Sequence, residues 1–345
     1  MMRCLLLLCV LVFVGPLLLE VFALYGRTHA DSSARVEPTL PPPEGTLLQL
    51  AGVGGTFGLF TVDLATGKMT QLADFPTIRG ISVGTAVLNN INHKYYFAGY
   101  DALSIRRLYT VDTENGNILS KPLIDDAAEV EVDTLTDTLY GLAGISGSFH
   151  LVTFDPSMGD ITSLGDLGLT NVNLCTSALD SANHRYFVVS YKSGTKRVYV
   201  VDTVNGTIIT SSQIGDLMQP EFDDTMGVLY GLAGVSGIAW FVAIDPMTGD
   251  VTMLGSLPSV RGVTMGSSAL DQVNHRYFFS GINGSGTKRL FVVDTQTRTL
   301  ISNPVLSPLA FPLANELDIR GCGFEPVSTP IRVHRVLLPM VANAR

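Results

Sequence analysis

Three groups of polar residues recur along this chain at spacings that could support chemistry. His93, His184 and His275 each sit in a D/N-x-x-N-H-K/R-Y stretch, and the preceding Asn92, Asn183 and Asn274 lie 91 residues apart. Three histidines at a constant interval suggest a shared metal. Each stretch nevertheless reads as a tight turn between strands, in which Asp or Asn caps and Asn tolerates left-handed geometry. Turns set around a rim are too far apart to share a zinc ion whose bonds are only about 2 Å long. The motif therefore reads as structural punctuation.

A second group is D-P-x-x-G-D, from Asp155 to Asp160 and again from Asp245 to Asp250. Paired carboxylates invite a calcium reading, yet two acids per loop fall short of a full EF-hand ligand series. Asp-Pro followed by Gly spells a type I turn with a left-handed residue, which is a hairpin. The third group is less ordinary. Glu131, Glu221 and Glu316 each stand two residues before an acid, Asp133, Asp223 and Asp318. Strand alternation puts each Glu-Asp pair on one face, with Val132, Phe222 or Leu317 on the other. Val87, Ala178 and Ala269 take the Glu position in intervening units. A threefold ring of carboxylates in a narrow channel would bind a divalent ion such as calcium, or carry pKa values raised by mutual repulsion. The competing reading pairs each Glu with a backbone donor of a neighbouring unit, or with Arg79 and Arg261 in the matching loops FPTIRG and LPSVRG.

The elements that must position these groups are repeats. SALDQVNHRYFFSGINGSGTKRLFVVDTQTRTL (Ser268 to Leu300) recurs from Ser177 and, more loosely, from Ala86. A second type of unit, LYGLAGISGSFHLVTFDPSMGDITSLG (Leu139 to Gly165), recurs from Leu229. Apolar runs ending in Asp mark six copies at Asp63, Asp112, Asp155, Asp202, Asp245 and Asp294, separated by 49, 43, 47, 43 and 49 residues. Periods of this length built from short β-branched and aromatic runs, bounded by Gly and Asn, indicate propeller blades. No segment after residue 30 holds a helical apolar period. The expected fold is an all-β, six-bladed β-propeller of three two-blade blocks of about 91 residues. The first recognisable copy lacks its opening strand, and Leu313 to Ile319 matches the opening strands Ala127 to Asp133 and Leu217 to Asp224. The C-terminal strand is therefore expected to complete the first blade and close the ring, removing open sheet edges.

Outside the repeats, residues 1–24 carry Arg3 and an uncharged, largely apolar run from Cys4 to Leu19, which reads as a secretory signal peptide. An uncleaved anchor is the alternative, but the run is broken by Pro16 and makes a poor membrane span. Residues 25–46 form a Pro-rich spacer, 47–325 the propeller and 326–345 a tail, either a sorting segment or a terminus docked on the ring. Of the cysteines left after cleavage, Cys175 is expected in the first strand of the fourth blade and Cys322 across the ring, too far to bridge.

The net charge of −9 and pI near 5.1 argue against nucleic acid as a partner. No Ser-His-Asp order, H-E-x-x-H, phosphate-cradling Gly loop or CxxC occurs. The Gly-rich runs GVGGTFG, GISGSFH, GVSGIAW and NGSGTK lie between second and third strands, on the end opposite the His turns. That end also bears Arg79, Tyr100, His150, Tyr191, Trp240 and Arg261, which are the candidate ligand contacts, Trp240 being equally readable as inter-blade core. Asn205-Gly-Thr and Asn283-Gly-Ser are sequons for a host that glycosylates.

LFVVDTQTRTL, LYTVDTENGNIL and VYVVDTVNGTI resemble the strand-and-turn repeats of YVTN-type and related six- or seven-bladed propellers, over about 280 residues. Gluconolactonase-like propellers hold a divalent metal in the channel through Glu, Asn and Asp. The resemblance implies a similar use for Glu316 or its equivalents, with a lactone or ester as substrate. The first expectation, though, is a secreted or cell-surface monomer that serves as a binding scaffold for a protein or glycan.

Overall fold

A computed structural model describes residues 46–53, 55–124, 127–215, 217–306 and, for the backbone alone, 310–318. The expected signal peptide and tail, Cys322, and the spacer up to residue 45 lie outside the described residues, while Thr46, expected to end the spacer, opens the strand Thr46–Val53. Every described element is a strand, and the strands form six antiparallel sheets. Each sheet is one blade, with its strands in sequence order. The exception is blade 1, whose order is 310–318, Thr46–Val53, Thr56–Val62, Met69–Phe75. The last strand of the chain thus supplies the first strand of the first blade. Its pairing runs from Thr46 opposite Asp318 to Val53 opposite Ala310, with one register shift at Leu50/Ala51. Each first strand touches that of the next blade, and the strand at 310–318 meets those of blades 6 and 2, so the ring closes as expected from the sequence.

The core is divided among the gaps between blades. Phe75, Phe97 and Tyr109 pack between blades 1 and 2, and Phe187, Phe222 and Val242 between blades 4 and 5. Tyr277, Phe279 and Phe291 fill the gap between blades 5 and 6. A fully buried aromatic side chain of this kind contributes roughly 2–3 kcal/mol. Facing rings in each wedge, such as Phe279 over Phe291 at 5.0 Å, hold neighbouring strands in register.

Antiparallel order assigns every connection to one of two ends. Turns between first and second strands, and between third and fourth, share one end, here the turn end. Loops between second and third strands, and the connectors between blades, share the loop end. At the turn end the histidines, rather than the asparagines, take the left-handed conformation: φ is 54° at His93, 54° at His184 and 55° at His275. Their carbonyls accept the amides of Thr113, Thr203 and Thr295. Asn183 and Asn274 instead bond back to Asp180 and Asp271. The tyrosine of the same motif ties blades together, because Tyr186 Oη donates to the carbonyl of Glu129 and Tyr277 Oη to that of Gln219. The D-P-x-x-G-D stretches are hairpin turns, with Asp155 Oδ1 accepting the amides of Ser157 and Met158.

At the loop end the first strands of blades 2, 4 and 6 are interrupted by a left-handed residue. Gly84 (φ 70°), Cys175 (φ 59°) and Gly266 (φ 68°) occupy equivalent places. Cys175 therefore lies in a turn just before the first strand of blade 4, Ala178–Asp180, and not inside that strand as expected. A side chain with Cβ is disfavoured there, so C175G is expected to stabilise the protein by about 0.5–1 kcal/mol. Calorimetry checks this, and a lower melting temperature for C175G would show that thiol packing outweighs backbone strain.

Candidate functional site

The first strands of blades 2 to 6 enclose a central cavity of about 210 Å³, lined among others by Val87, Glu131, Ser177, Gln219, Glu221 and Ser268. Glu131 belongs to the strand Ala128–Asp133 and Glu221 to Met218–Asp223. Alternation turns both towards the following blade, while Val132 and Phe222 pack on the preceding one. Glu131 Oε1 accepts a 2.6 Å hydrogen bond from Ser177 Oγ, and Glu221 Oε1 a 2.6 Å bond from Ser268 Oγ. These neighbouring-blade hydroxyls are the partners that the sequence reading sought in Arg79 and Arg261. Both arginines lie exposed at the loop end, Arg79 on the connector into blade 2 and Arg261 near the start of the strand Val260–Asp271. The position equivalent to Ser177 and Ser268 ahead of Glu316 is Ala86. The Glu316 side chain lies outside the described residues, and only its backbone, opposite Leu48, is described.

Burial drives the titration of these groups. Enclosure by the first strands raises Glu131 to about 8, with smaller upward contributions from Glu221 and Glu129, against the Ser177 hydrogen bond. Burial likewise raises Glu221 to about 7 against its bond from Ser268. Repulsion, expected as the cause, is secondary to desolvation.

Sequence reasoning missed Glu129. It is fully buried with φ 53°, and its two oxygens accept the amides of Cys175 and Thr176 at 2.7 Å each. Burial raises it to about 7, opposed by those amides. A Cβ on Gly84 would sit 2.5 Å from Glu129 Oε1, so the carboxylate is wedged between blades 2 and 4. In blade 5 a neutral Gln219 does the same work: its Oε1 accepts Ser267 and Ser268 amides, and Nε2 donates to the Thr264 carbonyl. The alignment of E-V-E with Q-P-E carried this signal. At the turn end of the cavity Asp224, just past the strand Met218–Asp223, is raised to about 6 by desolvation, with Asp180, Asp223 and Asp133 adding repulsion against a bond from Gln272.

Among the described residues no three of His, Cys, Asp and Glu come together as a metal would require. Glu131 and Glu221 each commit one oxygen to a serine. The described donors alone do not compose a divalent-ion site, and no chemical step is assigned to one.

The candidate ligand contacts lie at the loop end, as the strand order dictates. Tyr100 and Tyr191 close the second strands of blades 2 and 4 and are 40% and 43% exposed. Ile282 takes the equivalent place in blade 6 at 40%, and Val235, one residue further along, ends the second strand of blade 5 at 41%. Arg79 donates its amide to the Tyr100 carbonyl. Trp240 packs on the wedge between blades 4 and 5, opposite Ala233. His150, its equivalent in blade 3, bonds through Nδ1 to Ser163 Oγ at 2.9 Å, with Nε2 3.7 Å from Asp166. The six residues share an end without converging on one pocket.

These features define a six-bladed β-propeller. Solved structures agree: the chain is similar to TolB from Acinetobacter baumannii (TM-score 0.59, 12% identity, 79% of this chain and 66% of that one). The match thus spans just under two thirds of the length of that TolB. It is also similar to a chain of a nidogen/laminin complex (TM-score 0.58, 13% identity, 81% and 100%). A TolB-like protein from Agrobacterium tumefaciens matches at TM-score 0.52 and 9% identity over 80% and 99%. At these identities the likeness is one of fold. No family model and no curated protein sequence matches the chain.

Proposed function

We propose that this protein is a secreted or cell-surface propeller that works as an interaction scaffold. The observation that carries the reading is the rim of exposed apolar side chains at the loop end, Tyr100, Tyr191, Val235 and Ile282, presented by four rigid blades. Exposed apolar residues grouped on a preorganised surface mark interaction sites, and tyrosine is enriched where binding energy concentrates. A propeller of the same fold occurs in a nidogen/laminin complex, which supports a binding role for the architecture. The apolar run from Cys4 to Leu19 supports export. Among the described residues no helix is long and apolar enough to cross a membrane. The partner is a protein or glycan met by one copy of the chain.

A photo-crosslinking side chain placed at Tyr100 or Tyr191, in the host, is expected to yield a discrete adduct. The same group at Leu135, 74% exposed at the turn end, is expected to yield none. Failure to crosslink from either tyrosine sinks the scaffold reading. Turnover of lactones or esters by the purified chain would favour the alternative, a hydrolase using the channel carboxylates. Fractionation checks location: the protein should appear outside the cytoplasm without its first residues.

A further inference from the structure

The two ends of the ring carry opposite charge. At the turn end each blade places an aspartate in its third-to-fourth-strand hairpin: Asp63, Asp112, Asp155, Asp202, Asp245 and Asp294. First strands of blades 3 to 6 end there on Asp133, Asp180, Asp223 and Asp271. The cations of that end are five, Lys68, Lys94, Arg185, Arg276 and Arg298.

The loop end is the reverse. Third strands of blades 2, 4 and 6 open on basic pairs, Arg106-Arg107, Lys196-Arg197 and Lys288-Arg289. Arg79, Lys121, Lys192 and Arg261 stand in the connectors and strand ends beside them. Among the described residues the acids on this end are Asp74, Asp101 and Asp166, with the buried Glu129 beneath them. Among the described residues cations therefore outnumber acids at this end, ten to four, while the whole chain carries −9.

Two of these arginines are fixed by groups that do not neutralise them. Arg197 donates to the carbonyl of Ser211, and Arg289 to that of Asn303. A carbonyl holds a guanidinium in place and leaves its charge to act outward. Each basic pair lies beside a rim residue of its own blade, Arg106 opposite Tyr100, Lys196 opposite Tyr191 and Lys288 opposite Ile282, and Leu103 (77% exposed) and Met265 (51%) add exposed apolar surface at the same end. Tyr, Met and Arg together form the composition of protein-recognition surfaces.

We propose that the loop end docks an acidic polypeptide segment bearing aromatic or aliphatic side chains. Carboxylates of the segment pair with the cations, and its apolar side chains pack on the rim between them. The polarity of the ring orients such a partner, because the acidic turn end repels it. This rests on the scaffold reading and adds the chemistry of its partner. A purely anionic polymer would satisfy the charges and leave the rim unfilled.

The test uses the purified full chain and three fluorescent probes: a poly(Glu,Tyr) copolymer, poly-Glu, and single-stranded DNA of similar charge. Fluorescence anisotropy is expected to show poly(Glu,Tyr) binding roughly tenfold or more tighter than the other two. The triple change R79E/K192E/R261E, at exposed sites, should weaken it by at least about tenfold, with the melting temperature held as a control on folding. D63N/D155N/D245N at the turn end should leave it unchanged. Equal binding of poly-Glu or DNA, no binding of poly(Glu,Tyr), or binding retained by the triple variant each overturns the proposal. None of these touches the scaffold reading, which stands or falls on the crosslinks from Tyr100 and Tyr191.

Discussion

Raising the pH from about 5 to about 8.5 is expected to lower the melting temperature by roughly 5 °C or more, and E131Q/E221Q is expected to remove most of that loss. Four acids that line or flank the channel hold their protons more tightly folded than unfolded. Glu131 rises to about 8, Glu221 and Glu129 to about 7, and Asp224 to about 6, each chiefly through burial. Between an ordinary carboxylate pKa and those values the folded state binds more protons than the unfolded one, so stability falls as pH rises through that window. Their contribution is complete below about pH 4 and is lost by about pH 8. A tenfold change in proton affinity is worth about 1.4 kcal/mol. The side chains of Glu131 and Glu221 border the cavity and keep some water, which brings the expected loss for that pair to about 2 kcal/mol. Asp63, Asp101, Asp137 and Asp155 work in the opposite direction, since hydrogen bonds or ion pairs lower them and their stabilisation fades in acid. Maximal stability therefore falls near pH 5.

Glutamine keeps the Ser177 and Ser268 hydrogen bonds and removes the charge, as Gln219 already does at the place equivalent to Glu129. Thermal melts of both proteins at the two pH values decide the matter. If E131Q/E221Q melted lower than the parent at about pH 8.5, and the parent lost bound calcium to a chelator, the channel would hold a cation and the burial argument would be wrong.

Removing the closing strand is expected to abolish cooperative folding altogether. Residues 310–318 pair with Thr46–Val53 along that strand's whole length. Leu47, Leu48, Leu50 and Ala51 beside them are fully buried. Deletion uncovers this strand as a bare edge and opens the ring between blades 6 and 2 in a single step. A chain lacking residues 310–325 should give no sharp thermal transition and should aggregate, while one lacking only 326–345 should melt like the parent. If the shorter chain unfolded at the parent's temperature, the closure would be ornamental.

The fold was legible because its signals are local and repeated. RLYTVDT, RVYVVDT and RLFVVDT state a strand and its turn in seven residues, and repetition fixed the blade count and the closing strand. The site was legible only in part. Glu131 and Glu221 stood out by equivalence, but their partners Ser177 and Ser268 lie 46 and 47 residues away in the next blade. No local pattern reports a contact across blades. Cys175 reads as part of a strand because its left-handed conformation shows only beside Gly84 and Gly266. The histidines displaced the asparagines from the left-handed place because each Asn is drawn back to the acid or amide that caps the preceding strand. Charge polarity escaped composition, since a net −9 averages two unlike ends.

Because the strand at 310–318 completes a blade begun at Thr46, the order of synthesis sets the order of assembly. As the chain emerges, blades 2 to 6 acquire all their strands while blade 1 waits with one flank open. Ring closure is then the last event, and it joins residues separated by more than 250 positions. Such distant pairing is slow, and the ring stays unclosed for nearly all of the chain's elongation. Until that final strand appears, the edge at Thr46–Val53 stays unpaired and the chain lacks the contact that locks its two ends together.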